Sequence, residues 1–199
     1  MRRAGTSDFV VFVPLVLVQG EYHFLFEKRA PAIRQGGEVS FPGGSFEPEV
    51  DGSKEEAALR ETVEELGVRK ERLTVLGRLD AVVTHTGGII DPFVGTIDSA
   101  RDYAPNPSEV EAVFFTPVSF FARTEPERYQ IRREMQPFSL EEDGSRRVTF
   151  PARELGLPER YWQAWSGGSH TVCLFRYGGE VIWGMTAEIV LSVVGLLGK

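Results

Sequence analysis

The chain predicts an α/β fold, and three features of its pattern predict it. It opens on two apolar, β-prone runs, residues 9–18 and 22–27, joined by the short turn Gln19-Gly20-Glu21 and read as a hairpin. A stretch with a marked start and a marked stop, residues 54–66, is the clearest helix. The C-terminal part holds a second hairpin, His170–Tyr177 and Glu180–Trp183 across Gly178-Gly179, followed by an apolar helix from about 185 to 197.

Between these landmarks the elements follow in order. Lys28 to Phe41 is rich in Gly, Arg and Pro and reads as a loop, ending in Phe41-Pro42-Gly43-Gly44. A second loop, 45–52, leads to Ser53 as N-cap, with Glu56 three residues on as its capping-box partner. Gly67 is the expected stop. Strand-like runs follow at 73–84, 89–97 and 110–116. Pro117 then begins a region of mixed signals, and 121–168 holds many arginines, several prolines and no clean period. No internal repeat or low-complexity tract is found.

A length of 199 residues suits a single domain, here 1–199 with a divergent insertion at about 121–168. The formal net charge of -7 argues against nucleic-acid binding, since no positive field gathers phosphates. An acidic ligand remains compatible with this charge if metal ions lie between the two. Cys173 is the only cysteine, so no intrachain disulfide forms and a reducing, cytoplasmic setting is expected, with Cys173 a small buried apolar residue. Met1-Arg2-Arg3 before an apolar run has the look of a signal peptide. Asp8 interrupts the approach, and the run leads straight into a turn and a second apolar stretch, so the hairpin is preferred. The apolar run Val181 to Leu197 is interrupted by Glu188 and two glycines, which favours a packed helix over a membrane span.

The helix 54–66 carries the chemistry. At 100° per residue, Leu59, Val63 and Leu66 share an arc that can pack on a sheet, while Glu61, Glu64 and Glu65 fall together on the opposite face. Like charges at i,i+3 and i,i+4 repel, at a cost of a few tenths of a kcal/mol per pair. Divalent cations such as Mg²⁺ offset that cost, because hard ions take carboxylate oxygens and share their other positions with water and phosphates. Arg60 stands one turn before Glu64 and can hold that carboxylate. A solvated acidic face is the competing reading of the same pattern.

The flanking residues decide between the two. Gly43-Gly44 lets backbone approach a ligand closely. Gly44, Asp51 and Arg60-Glu61-Thr62-Val63-Glu64-Glu65-Leu66-Gly67-Val68 resemble the Nudix box, whose core is Arg-Glu-apolar-x-Glu-Glu-x-Gly-apolar. Thr62 departs from the apolar requirement, the loop from Gly44 to Arg60 is about two residues longer than the family's, and Gly52 stands where a loop glutamate is expected. The resemblance implies a Nudix fold, a mixed sheet sandwiched between helices, with the acidic helix lining the cleft. It also implies a hydrolase that cleaves a pyrophosphate bond in a nucleoside diphosphate derivative with Mg²⁺ or Mn²⁺. By the same resemblance Glu61, Glu64, Glu65 and the Gly44 carbonyl are metal ligands, and Glu64, Glu65 and Arg60 are catalytic, with the general base left open between Glu65 and Glu64. Glu109, in Pro107-Ser108-Glu109-Val110, is a weaker base candidate read first as structural.

Outside the box, Arg29…Ile33-Arg34…Gly37-Glu38-Val39-Ser40-Phe41-Pro42-Gly43-Gly44 and Val181-Ile182-Trp183-Gly184-Met185-Thr186-Ala187 are similar to segments of the coenzyme A pyrophosphatase branch. Asp91-Pro92-Phe93-Val94-Gly95 and Ser108-Glu109-Val110…Thr116-Pro117 are similar to it as well. That branch implies coenzyme A or an acyl derivative as substrate, cut to 3′,5′-ADP and a phosphopantetheine. Arg34, Lys28 and Gly43 are then candidate substrate contacts. Trp183 is read as core, and His85 as neither ligand nor base. An ADP-ribose or dinucleotide pyrophosphatase, and a Nudix-like module that binds a nucleotide without turning it over, are the alternatives. The expected partner is a small nucleotide-containing molecule, with no nucleic acid and no membrane; a homodimer is left open. The stretch 121–168 is expected to cover the cleft or form part of a dimer contact.

Overall fold

The computed structural model describes residues 8–84, 87–98 and 103–198. The strands are β1 (Asp8–Val18), β2 (Glu21–Arg29), β3 (Val39–Ser40), β4 (Gly43–Ser45), β5 (Leu73–Arg78), β6 (Val82–Val83), β7 (Ile89–Ile97), β8 (Val110–Pro117), β9 (Glu127–Met135), β10 (Phe138–Leu140), β11 (Arg146–Val148), β12 (Trp165–Tyr177) and β13 (Glu180–Trp183). The helices are α1 (Lys54–Leu66), α2 (Val118–Arg123) and α3 (Gly184–Leu197). These elements form two compact units, one of Met1–Glu127 with Cys173–Lys199 and one of Arg128–Val172. Met1-Arg2-Arg3 and His85 lie outside the described residues.

In the larger unit an eight-stranded sheet runs β3-β2-β1-β7-β5, with β4 paired to β1, β6 to β7 and β8 to β2. β1 and β7 are parallel from Asp8↔Ile89 to Leu15↔Thr96, whereas β1–β2, β2–β8 and β5–β7 are antiparallel, so the sheet is mixed. β1 is buried almost without interruption from Val10 to Val16 because both of its faces are covered. Val10, Phe12 and Val16 pack with Ala57, Ala58 and Leu66 of α1. Val13 and Leu15 pack on the other side with Phe121 of α2 and with Ala187, Val190 and Val193 of α3. Phe24, Phe26, Phe41, Phe121 and Phe175 fill this second layer, with Phe121 and Phe175 edge to face at 5.0 Å. Each such buried aromatic is worth roughly 1.5–3 kcal/mol. The sheet between helices is therefore as expected. Cys173 is a buried thiol in the same layer. α3 is packed as read, and no helix among the described residues is long and apolar enough to cross a membrane.

α1 spans the predicted residues, and both end signals act. The Ser53 side chain accepts the Glu56 N–H at 3.1 Å, and Gly67, left-handed at φ 64°, donates its N–H to Val63 O at 3.0 Å. The orientation differs from the expected one. The arc facing the sheet is Ala57, Ala58, Thr62, Glu65 and Leu66; Leu59 packs half-buried at its edge as expected, whereas Val63 lies on the outer groove. Thr62 can occupy this arc because its hydroxyl donates to Ala58 O at 2.7 Å and leaves no unmet donor. Ala57 and Ala58, both fully buried, let the helix sit close to the sheet. The three glutamates consequently do not share one solvated face.

Three further expectations are corrected. The loop assigned to 28–41 begins later, since Lys28 and Arg29 continue β2 and Val39–Ser40 form β3. Glu27 and Lys28 pair with Ser40 and Val39 on one side and with Val113 and Ala112 on the other, so tertiary pairing overrides the local Gly and Pro signal. The run 73–84 is two strands, broken after a register shift between Val75 and Gly77. Trp183 is 40% exposed; at the end of β13 it points away from the side on which fully buried Ile182 enters the core.

In the smaller unit β9 pairs with β12, and β10 and β11 form a hairpin from Phe138↔Val148 to Leu140↔Arg146. Three of its arginines lie over rings, Arg146 at 4.4 Å from the Phe138 centroid, Arg153 at 5.3 Å from that of Trp162 and Arg160 at 4.7 Å from that of Tyr161.

Candidate active site

The site begins with the alternation of β2. Phe24 and Phe26 enter the layer shared with α2 and α3, so Leu25 and Glu27 point to the opposite face, against α1. Glu27 is completely buried there. Its Oε1 accepts the Ser40 hydroxyl at 3.0 Å and lies 3.8 Å from the Arg29 guanidinium; its Oε2 is buried with no hydrogen-bond partner.

α1 brings two more carboxylates to this face. Glu65 is 5% exposed, and its Oε2 accepts the Gly43 N–H at 2.7 Å. Glu61 lies against Gly44, where a Cβ would come within 2.4 Å of the Glu61 carboxyl carbon, so a side chain there would displace the Glu61 carboxylate. The segment from Ser40 to Gly44 thus touches Glu27, Glu65 and Glu61 in turn. Glu109 joins from the loop before β8, with the Asn106 amide donating to its Oε2 at 3.1 Å. That loop is tied to the end of α1, as Asn106 N–H donates to Glu65 O at 2.9 Å and Ala104 N–H to Leu66 O at 3.0 Å.

The group is strongly frustrated electrostatically. Burial pushes the Glu65 carboxyl up to about 9, and the charge of Glu27 adds to this against the opposing Gly43 hydrogen bond. Burial likewise pushes Glu27 up to about 7, with Ser40 and Arg29 opposing and Glu109 and Glu61 reinforcing. Glu61 is raised by burial too, against the pull of Arg60.

Arg60 organises the outer flank of α1. Its Nε and a terminal nitrogen donate to the two oxygens of Asp51 at 2.9 and 3.2 Å, and its other terminal nitrogen reaches Glu61 at 3.0 Å and Glu64 at 3.2 Å. The hydrogen bonds from Arg60 hold the Asp51 carboxyl below the usual range. Glu64 is turned outward and borders a groove of about 390 Å³ together with Asp51, Glu56, Arg60, Val63 and Lys70. At the other end of α1, the Lys54 ammonium donates to Asp91 and lies 3.1 Å from Asp8, fastening the helix to β7 and β1.

Of the residues singled out from the sequence, Glu61, Glu65, Gly43 and Gly44 are brought together, with Glu64 and Arg60 on the flank. Lys28 alternates away from Glu27 and pairs with Glu180 of β13 at 3.2 Å. Arg34 is exposed on the loop between β2 and β3, and its carbonyl accepts from Arg29 Nε at 3.3 Å. Gly43 holds Glu65 through its N–H. Glu27 was missed because it opens the charged end Glu27-Lys28-Arg29 of the strand, and only its place two residues after Leu25 on the same face signals its burial.

Among the described residues, no three carboxylate, histidine or cysteine side chains converge as they stand on a point where an ion could be held. Arg60 draws Glu61 and Glu64, and the Gly43 N–H engages Glu65. The donor chemistry nevertheless fits a hard divalent cation: the side chains are oxygen donors, they repel one another, and one buried oxygen has no partner.

The NUDIX domain family model matches residues 9–135. The peroxisomal coenzyme A diphosphatase NUDT7 of Mus musculus is 36% identical over 118 residues, 59% of this chain and 50% of that protein, so the chain spans half of its length. A protein of Cronobacter sakazakii named uncharacterized Nudix hydrolase NudL is 31% identical over 95% of this chain and 82% of its own. In fold, the chain is similar to a MutT/nudix family protein from Enterococcus faecalis, with TM-score 0.52 and 16% identity, covering all of this chain and 65% of that one.

Proposed function

Because the chain belongs to the Nudix domain family, we propose that it is a metal-dependent pyrophosphohydrolase whose substrate is coenzyme A or an acyl-coenzyme A, cut to 3′,5′-ADP and a phosphopantetheine. The observation that carries the reading is the seating of Glu61 and Glu65 of α1 directly on Gly43-Gly44. The name of the mouse relative supports the substrate. Glu61, Glu65 and the Gly44 carbonyl, with Glu64 swung in from the flank, would hold Mg²⁺ or Mn²⁺. Such an ion supplies charge neutralisation of the diphosphate and a more acidic bound water.

The residues themselves do the remaining work. Arg60 positions Glu61 and Glu64 through contacts at 3.0 and 3.2 Å and is itself fixed by Asp51. Glu64 or Glu65 accepts the proton of the attacking water. The exposed Arg34 meets the 3′-phosphate that separates coenzyme A from ADP-ribose, while Lys28 is committed to Glu180. We read the chain as a single Nudix domain with an insertion at about 121–168, a stretch that overlaps the compact unit Arg128–Val172, and the buried Cys173 thiol suits a cytoplasmic setting.

The test is a panel of coenzyme A, dephospho-coenzyme A, ADP-ribose and a dinucleotide with Mg²⁺, read by product mass. Coenzyme A is expected to exceed dephospho-coenzyme A by about ten- to a hundredfold in kcat/KM, with Arg34→Ala narrowing the gap. Turnover of ADP-ribose without coenzyme A would overturn the substrate, and binding without turnover of any member would leave a nucleotide-binding module.

A further inference from the structure

We infer that Glu27, a carboxylate supplied by the sheet and not by the box helix, is an additional ligand of the divalent cation at this site. The inference rests on the metal dependence proposed above and names a ligand outside the Nudix-box residues. Its first support is direction. Leu25 packs with Ala57, Ala58 and Leu66 of α1, and Glu27, two residues on along β2, stands on the same face of the sheet. Glu65 belongs to the arc of α1 that meets that face, and the charge of Glu27 is the largest charge acting upon it.

The second support is an unmet oxygen. A fully buried carboxylate away from metal needs its lone pairs satisfied. Glu27 Oε1 has the Ser40 hydroxyl at 3.0 Å and Arg29 at 3.8 Å, whereas Oε2 has nothing. A residue kept for packing alone would be better served by leucine or glutamine at this fully buried position, because an ionised carboxylate is expensive to bury. The third support is the common frame. Ser40 holds Glu27 and Gly43 holds Glu65, three residues apart on one segment, so the two carboxylates are fixed relative to each other and to Gly44. Arg29 stands 3.8 Å from Oε1, so the nearby cation faces the oxygen that Ser40 already holds, while buried Oε2 has no hydrogen-bond partner.

The experiment is calorimetric titration of the full chain with Mn²⁺, for wild type, Glu27→Gln, Glu27→Asp and Glu61→Gln, together with anomalous diffraction from crystals of the wild type grown with Mn²⁺. Glu27→Gln keeps the Ser40 contact and the volume, so a purely structural role would leave Mn²⁺ binding unchanged. We expect it to weaken Mn²⁺ at least tenfold or to remove one bound ion per chain, and the wild-type map to show an Mn²⁺ within about 2–2.6 Å of Glu27 Oε2. Glu27→Asp, which keeps the charge, should retain more of the affinity than Glu27→Gln. If Glu61→Gln weakens Mn²⁺ and Glu27→Gln does not, with the ion lying away from Oε2, the role of Glu27 is overturned while the metal-dependent reading stands. If the wild type binds no Mn²⁺, both fail. Should Glu27→Gln not fold, the position of the ion in the wild-type map decides.

Discussion

The Arg60–Asp51 pair offers the sharpest test of how α1 is held in its working orientation. Replacing Arg60 by Met keeps most of the volume and removes a two-pronged interaction, 2.9 and 3.2 Å, from a carboxylate whose side chain is 2% exposed. Hydrogen bonds to charged groups contribute about 1.5–3 kcal/mol, and the low end applies here because the Arg60 side chain is 26% exposed and screened by solvent. A loss of about 2 kcal/mol in a chain of this size lowers Tm by about 4–8 °C. Asp51→Asn alone should cost less, since it leaves hydrogen-bonding capacity, and the double variant should show a coupling of about 1–2 kcal/mol. Arg60→Lys should recover less than half of the loss, because one ammonium cannot span both oxygens. Chemical denaturation of the four chains in EDTA measures the cycle. A coupling below about 0.5 kcal/mol, or full rescue by lysine, would show that the fork does not orient the helix.

Other outcomes follow from the same geometry. Glu61→Gln and Glu65→Gln should each lower turnover by orders of magnitude while the fold persists; turnover within about tenfold of wild type at saturating Mg²⁺ would remove that residue from the chemistry. Glu27 and Glu65 have carboxyl groups raised in the fold, so between the ordinary range near 4.5 and about 7 to 9 the folded chain binds protons that the unfolded chain has released. Their contribution to the stability of the metal-free protein is therefore fully present below about pH 4.5 and is lost as pH rises through about 7 to 9. Urea midpoints in EDTA should fall from pH 6 to 9, less steeply in Glu65→Gln; a flat or rising profile in wild type would refute the burial of these charges.

Local chemistry was readable wherever it was self-contained. Ser53 and Gly67 bound α1 from either side because a cap acts over three or four residues, and the turn at Gln19-Gly20 closes the first hairpin within one β-turn. The edges of β2 and β3 were not readable. Whether Lys28 continues a strand depends on Val39 and Ala112, partners 11 and 84 residues away, which no local window contains. The central position of β1 was only implied by its uninterrupted apolar run. Its parallel partner β7 was identified as a strand, but the pairing itself was not legible.

The site shows the same division at the level of one helix. The spacing of Glu61, Glu64 and Glu65 is legible as a charged arc, yet periodicity ranks faces by hydrophobicity and so turned Val63 to the sheet and Glu65 away from it. The fold turns the helix by the sizes of Ala57 and Ala58 and by the internally satisfied hydroxyl of Thr62, which together make a close-packing surface that hydropathy undervalues. That rotation carries Glu65 inward against Gly43 and leaves Glu64 outward beside Arg60. It thus separates two neighbouring carboxylates into a buried one, raised by its surroundings, and an accessible one held by a guanidinium. Thr62, a departure from the apolar pattern of the box, is consequently part of what orients the helix: Thr62→Val would lose the bond to Ala58 O without greatly changing the packed volume, whereas a larger residue would lift Glu65 from Gly43.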